Sequence, residues 1–158
     1  GLDAAIACYL ALGGEEALAR IERDYLASHS ATDSETFAAV SAIRVHGTEF
    51  GCFPQSRLTA ALRQVLNRPA LADLVIADLS RLEDWSAVDR MCELFEEAPA
   101  GNRLVKPAVV LYLKTCPKPE AVTALQKLRR IDSEAVRFAE ASLRMYPGLP
   151  SIPVPPPQ

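Results

Sequence analysis

The stretch Cys8-Tyr9-Leu10-Ala11-Leu12-Gly13-Gly14-Glu15-Glu16-Ala17-Leu18-Ala19-Arg20-Ile21 holds the end of one helix, a two-glycine turn and the start of a second helix. Glycine commonly follows a helix because it accepts a left-handed backbone. Carboxylates in a first turn meet the exposed N–H groups and the positive end of the helix dipole. Laid against the rest of the chain, this arrangement recurs. Leu10, Val45, Leu79 and Leu113 each sit near the end of the first helix of a pair, spaced by 35, 34 and 34 residues. Cys8-Tyr9-Leu10 matches Leu111-Tyr112-Leu113, and Ala17, Leu18 and Ile21 line up with Ala87, Val88 and Met91 and with Ala121, Val122 and Leu125. A helix-turn-helix unit of this period, apolar along one stripe of each helix, buries that stripe only by stacking on the next unit. The expected fold is all-α, a right-handed α-solenoid of about four stacked helix pairs plus a terminal helix over residues 1–146.

Composition agrees. Over 158 residues, 49% are apolar and 23% charged, enough for a sizeable core, while only 6% are aromatic, 7 are Gly, and Ala, Leu, Glu and Arg abound, which leans toward helix and away from a sandwich or barrel. Start and stop signals divide the chain into nine expected helices. The first covers residues 3–12 and the second runs from Glu15 to about residue 28. Thr32 with Glu35 forms a capping-box pattern that opens a third over 32–45, with Phe37, Val40 and Ile43 as its apolar stripe. A fourth spans 56–67, a fifth begins with Pro69 and runs to 82, and a sixth follows the Glu83-Asp84 turn with Trp85 at its opening. The seventh contains Pro107 and so starts late, near Lys106, or is kinked. Pro119 opens the eighth, and Asp132 is the N-cap of the ninth. Residues 147–158 hold six prolines, cannot continue a helix, and read as an extended tail or linker.

Charge is divided along the chain. Residues 1–100 carry 8 Lys and Arg against 16 Asp and Glu, and residues 101–158 carry 9 against 4, within a net charge of −3. Nucleic-acid binding needs a dense basic face, which an overall acidic chain lacks, so the expected partner is a protein. An acidic one, or another copy of the chain meeting head to tail, fits the basic C-terminal part. No apolar run approaches the roughly 20 residues of a membrane-spanning helix. The four cysteines form no CxxC pair and read as buried thiols. The chain opens on Gly1 without a Met, so one further reading makes it a domain of a longer exported or membrane-anchored chain.

Two segments resemble HEAT-like helical repeats. Val105-Lys106-Pro107-Ala108-Val109-Val110 is similar to the apolar first helix with an internal proline found in many HEAT units, and residues 84–90 are similar to their Asp-containing turn followed by Val88 and Arg90. The Asp and Arg pair does not recur in every unit, since Val122 is followed by Thr123 and Ala124. Tetratricopeptide repeats share the length, but their small-residue and aromatic signature does not appear here at constant offsets. The resemblance implies a curved scaffold that binds a partner or organises an assembly, with no cofactor and no inherited catalytic residues.

The longer interval at residues 46–54 is the strongest site candidate, because loops that interrupt a regular repeat often carry binding function. It brings His46, Glu49, Phe50 and Cys52 together in sequence. Phe50 and Phe53 are expected to pin it to the second unit. The competing reading is an enzyme or metal site, since His, Glu and Cys are zinc ligands and a His beside a Cys can activate a thiolate. Trp85, the single tryptophan, is either an interface anchor or a residue packing across its turn. His29 is expected to cap the end of the second helix. Arg20, Arg23, Arg63, Arg90, Lys127 and Arg130 lie on the second helices of the pairs and make that face the expected partner surface, with Glu93, Glu96 and Glu97 as a solvated acidic run. Nucleotide-binding, zinc-protease and hydrolase motifs do not occur in the sequence.

Overall fold

A computed structural model describes residues 1–99 and 101–145; the expected tail over 147–158 lies outside the described residues. Every regular element among the described residues is helical, and none of those residues forms a strand. Among the described residues eight α-helical segments follow one another: α1 (Leu2–Ile21), α2 (Asp33–Val45), α3 (Gln55–Arg63), α4 (Asp73–Arg81), α5 (Val88–Glu97), α6 (Val105–Thr115), α7 (Pro119–Ile131) and α8 (Ser133–Met145). The first is two helices run together. Gly14 sits at φ 54° and ψ −140°, outside any helical region, so the expected break between the first and second helices is present. A π-helical turn, Glu22–Leu26, ends the second half of α1, and a 3₁₀ turn, Gln64–Asn67, extends α3. No helix among the described residues is long and apolar enough to cross a membrane.

Several helix ends are set by the residues that announced them. At α2 the Thr32 N–H donates to Glu35 Oε2 at 2.8 Å and the Glu35 N–H to Thr32 Oγ1 at 3.3 Å, a complete capping box. Asp132 Oδ1 accepts the Ala135 N–H at 2.9 Å and opens α8, and Pro119 occupies the first turn of α7. Helix α6 starts at Val105, so Pro107 falls within the first turn, where its missing N–H removes no helical bond.

The chain divides into two compact units, residues 1–75 and residues from 76 onward. In the first, α1 packs on α2. Leu10, Ala17, Leu18 and Ile21 are buried with Ala39, Val40 and Ile43, and Leu58, Leu62 and Val65 extend this core. Arg57 on α3 grips α1 and the turn after it. Its Nη1 and Nη2 each donate to a Glu22 carboxylate oxygen at 2.6 Å, while Nε donates to Glu15 at 2.8 Å. The Glu22 carboxylate raises the Arg57 pKa above its ordinary value despite partial burial. Thr36 is fully buried because its hydroxyl donates to the Tyr25 carbonyl at 2.9 Å and accepts from Arg68.

In the second unit α6 is central: Val105, Val109, Val110 and Tyr112 are fully buried. It packs against α5, α7 and α8, and α5 also packs against α7. The Tyr112 hydroxyl donates to the Asp84 carbonyl at 2.6 Å and accepts the Ala87 N–H at 3.3 Å, pinning the turn before α5.

Other expectations are corrected. Residues 46–50 form a π-helical turn continuing α2, so the segment is not a loop over its whole length. The fifth helix starts at Asp73 rather than Pro69, because residues 68–75 are taken up by tight turns in which the Leu71, Leu74 and Val75 N–H groups bond three residues back. The second helix stops at Leu26, leaving His29 exposed in the turn beyond it, away from a capping position. Phe37 is 48% exposed, since the buried stripe of α2 runs through Thr36, Ala39, Val40 and Ile43. Of the thiols, only Cys116 is buried: Cys8 lies off the stripe made by Ile6 and Leu10, Cys52 follows the Gly51 turn, and Cys92 is half-buried. The matched letters of the repeat also differ in burial. Tyr112 is sealed while Tyr9 is 40% exposed, and Val122 is exposed where Leu18 and Val88 are buried.

Candidate functional site

The sequence groups His46 with Glu49 and Cys52 as the strongest site candidate. His46 is instead completely buried, its Nε2 at 2.9 Å from the Ala7 carbonyl of α1. A carbonyl only accepts, so Nε2 carries the proton and the ring is a packing and hydrogen-bonding strut between α1 and the π-helical turn. Phe50 and Phe53 lie against it with ring centroids 5.3 and 5.5 Å away, and Phe53 is buried while Phe50 is 56% exposed. The ring contacts of both phenylalanines are thus with His46, within the same segment. Glu49 and Cys52 are exposed, and the Cys52 thiol reaches only the Phe50 carbonyl, at 3.7 Å. Among the described residues no three His, Cys, Asp or Glu side chains converge in a way that could hold a metal ion. The turn therefore does not assemble the three ligand types that its sequence brings close together.

Trp85 precedes α5 rather than opening it. The Asp84 carboxylate accepts the Ser86 N–H at 3.2 Å and the Ser86 hydroxyl at 2.6 Å, a local turn that competes with helix and delays its start to Val88. The indole is half-buried, edge-on to Tyr112 at 5.2 Å, and its carbonyl accepts from Lys118 at 3.2 Å. The indole thus packs on α6.

The charged side chains of α5 and α7 form one paired surface. Arg90 reaches Glu93 at 2.7 Å and Glu97 at 3.0 Å, and Lys127 reaches Glu96 at 3.1 Å. The Glu96 carboxylate raises the Lys127 pKa, and burial raises that of the Cys92 thiol, which keeps it in its protonated, unreactive form. Arg130 is exposed and has no ion-pair partner among the described residues. The acidic run is thus matched to cations instead of standing alone in solvent.

Sequence reasoning missed a groove of about 440 Å³ where the end of α5, the start of α6 and the first turns of α8 meet. Pro99, Arg103, Lys106, Pro107, Ala135 and Phe138 line it. Phe138 is 69% exposed, and Leu104 beside Arg103 is 64% exposed. Lys106 pairs with Asp132 at 2.7 Å and lies 4.9 Å from the centre of the Phe95 ring. That ion pair, followed by the Ala135 N–H, holds the Asp132 carboxyl below the ordinary carboxylate range. A usable signal was present in the sequence. Val136 and Ala139 mark the buried stripe of α8, and Phe138, next to Arg137, falls outside it.

Comparisons with protein-family models, with curated proteins and with solved structures found no match to this chain.

Proposed function

We propose that this chain is a non-enzymatic scaffold built from HEAT-like helical repeats, whose outer side chains bind a protein partner. One observation carries this reading: in the second unit α6 packs on α8 and α5 on α7. These are first helix against first helix and second against second, the packing order of stacked helix pairs, with α8 in the place of the first helix of a further pair. The sequence spacing of Leu10, Val45, Leu79 and Leu113 has the period such pairs require. A framework of this kind holds its surface rigidly, so the side chains it presents bind with little further ordering cost.

Charge reversal on the second helices tests the reading. Arg20→Glu combined with Arg130→Glu changes two exposed cations that have no ion-pair partner among the described residues. Quantitative affinity capture from cell extract is expected to lose at least one protein retained by the wild type, with circular dichroism and melting temperature unchanged. An identical capture profile counts against the reading.

A further inference from the structure

We infer that His46 is a pH-sensitive latch: mild acid, by placing a second proton on its buried ring, releases residues 46–53 from α1. This goes beyond the scaffold reading and does not depend on it.

The latch follows from how little else buries this segment. Of residues 46–53 only His46 and Phe53 are buried, and their rings are in contact, with centroids 5.5 Å apart. The bond from His46 Nε2 to the Ala7 carbonyl ties the segment to α1. By contrast the bonds at Thr48 and Gly51 are local: the Thr48 hydroxyl donates to the Arg44 carbonyl at 3.1 Å, and the Gly51 N–H to the His46 carbonyl at 3.0 Å. A short exposed turn with two buried side chains belongs to the low-stability end of a fold, where opening is local. Gly51, at φ 58°, gives the chain a left-handed turn at which to swing.

The chemistry lies in the two ring nitrogens. Nε2 keeps its proton for Ala7, so a second proton goes to Nδ1, which is buried and has no hydrogen-bond partner. Protonation there adds a donor and a full positive charge where the docked segment offers no acceptor, and an unpaired buried charge is costly. The surroundings supply no compensating anion. On α1, residues 4–14 include no Asp, Glu, Lys or Arg, and Cys8 and Tyr9 are exposed. On α2, Arg44 donates to the Leu74 carbonyl. On α3, which lies close enough that a Cβ on Gly47 would meet Leu58 at 3.3 Å, Arg57 is engaged by Glu22 and Glu15. Glu49 and Cys52 of the segment itself are exposed, and neither ring nitrogen of His46 bonds a carboxylate.

An imidazole in water is half protonated near about pH 6.5. The released segment takes up a proton for which the docked one has no place, so acidification through this range favours release, and the docked form holds at neutral pH and above. Release bares Phe53 beside the already exposed Phe50, an apolar pair on the first unit that is complete only in acid.

The test is hydrogen exchange on the full chain, detected residue by residue by NMR at about pH 7.5 and about pH 5.5 and corrected for the intrinsic pH dependence of exchange. Protection of the Gly51 N–H is expected to fall about tenfold, the change that uptake of one proton near pH 6.5 produces over this interval. The Asp132 N–H, bonded to the Leu128 carbonyl in the second unit, is expected to keep its protection. In His46→Gln, whose side-chain amide still donates to Ala7 and takes up no proton in this range, protection of Gly51 is expected to be equal at both pH values. In the wild type the ring resonances of His46, with exposed His29 as reference, are expected to shift with the same midpoint as the loss of protection, which keeps the test decisive if His46→Gln does not fold. Wild-type protection at Gly51 that agrees within about twofold between the two conditions overturns the inference. Three other results also overturn it: an equal fall throughout α1, α2 and α3, which is acid unfolding of the whole unit; a fall that persists in His46→Gln, which assigns the titration to another group; and a His46 ring that stays neutral while the segment opens.

Discussion

At the residue scale, the side chains that hold this fold bridge distant positions, and their energetic weight follows from burial. Tyr112 is sealed and both donates and accepts through one hydroxyl. Tyr112→Phe leaves the Asp84 carbonyl and the Ala87 N–H without that partner, and chemical denaturation is expected to show a loss of about 1–2 kcal/mol. His46→Ala removes the bond to Ala7 and opens a cavity against Phe53, with an expected loss of about 2–4 kcal/mol. A denaturation midpoint unchanged in either variant contradicts the packing role. The sequence made the identity of these residues plain but not their roles. The His46 partner is 39 residues away, and a reading confined to neighbouring letters grouped His46 with Glu49 and Cys52 instead. Thr32, Glu35 and Asp132 were legible because their partners lie within three residues.

At the element scale, the boundaries that were readable are those fixed by local chemistry. Gly14 breaks α1 at a backbone conformation that side chains avoid, and a Cβ there would meet nothing within 4 Å. Gly14→Ala therefore carries backbone strain alone, expected to cost about 1–3 kcal/mol in thermal or chemical unfolding. The termini also tie helix stability to pH. Asp132 is held below the ordinary carboxylate range by Lys106 and the Ala135 N–H, and Glu140 by Arg129 and Lys114. A carboxyl whose folded pKa is depressed binds fewer protons folded than unfolded. Its contribution is therefore present above the unfolded value and lost as pH falls through the folded one. Melting temperature is expected to fall as pH drops from about 5 to about 3, and less steeply in Asp132→Asn. Equal slopes in the two proteins contradict the coupling. The π-helical turns after Ile21 and Val45 were not legible, since they continue helices without any glycine or proline at the junction.

At the scale of the whole molecule, the all-helical character and the order of helices followed from composition, glycine and proline positions and the 34-residue spacing. Burial did not follow from the spacing: Tyr9 and Val122 occupy matched positions yet are exposed, because each helix sees different neighbours. The groove at Phe138 was hidden for a related reason, being made by segments at least 28 residues apart in sequence. We propose that neighbouring helix pairs hold one another as a repeat array. Hydrogen exchange by mass spectrometry on Leu113→Ala tests it most directly, since Leu113 is 2% exposed at the centre of the second unit and its truncation is expected to cost about 2–5 kcal/mol. Coupling between nearest neighbours predicts the greatest loss of protection in α6 and in α5, α7 and α8, which pack on it, and none in α2 and α3. An equal loss of protection across every helix from α1 to α8 would contradict the repeat account.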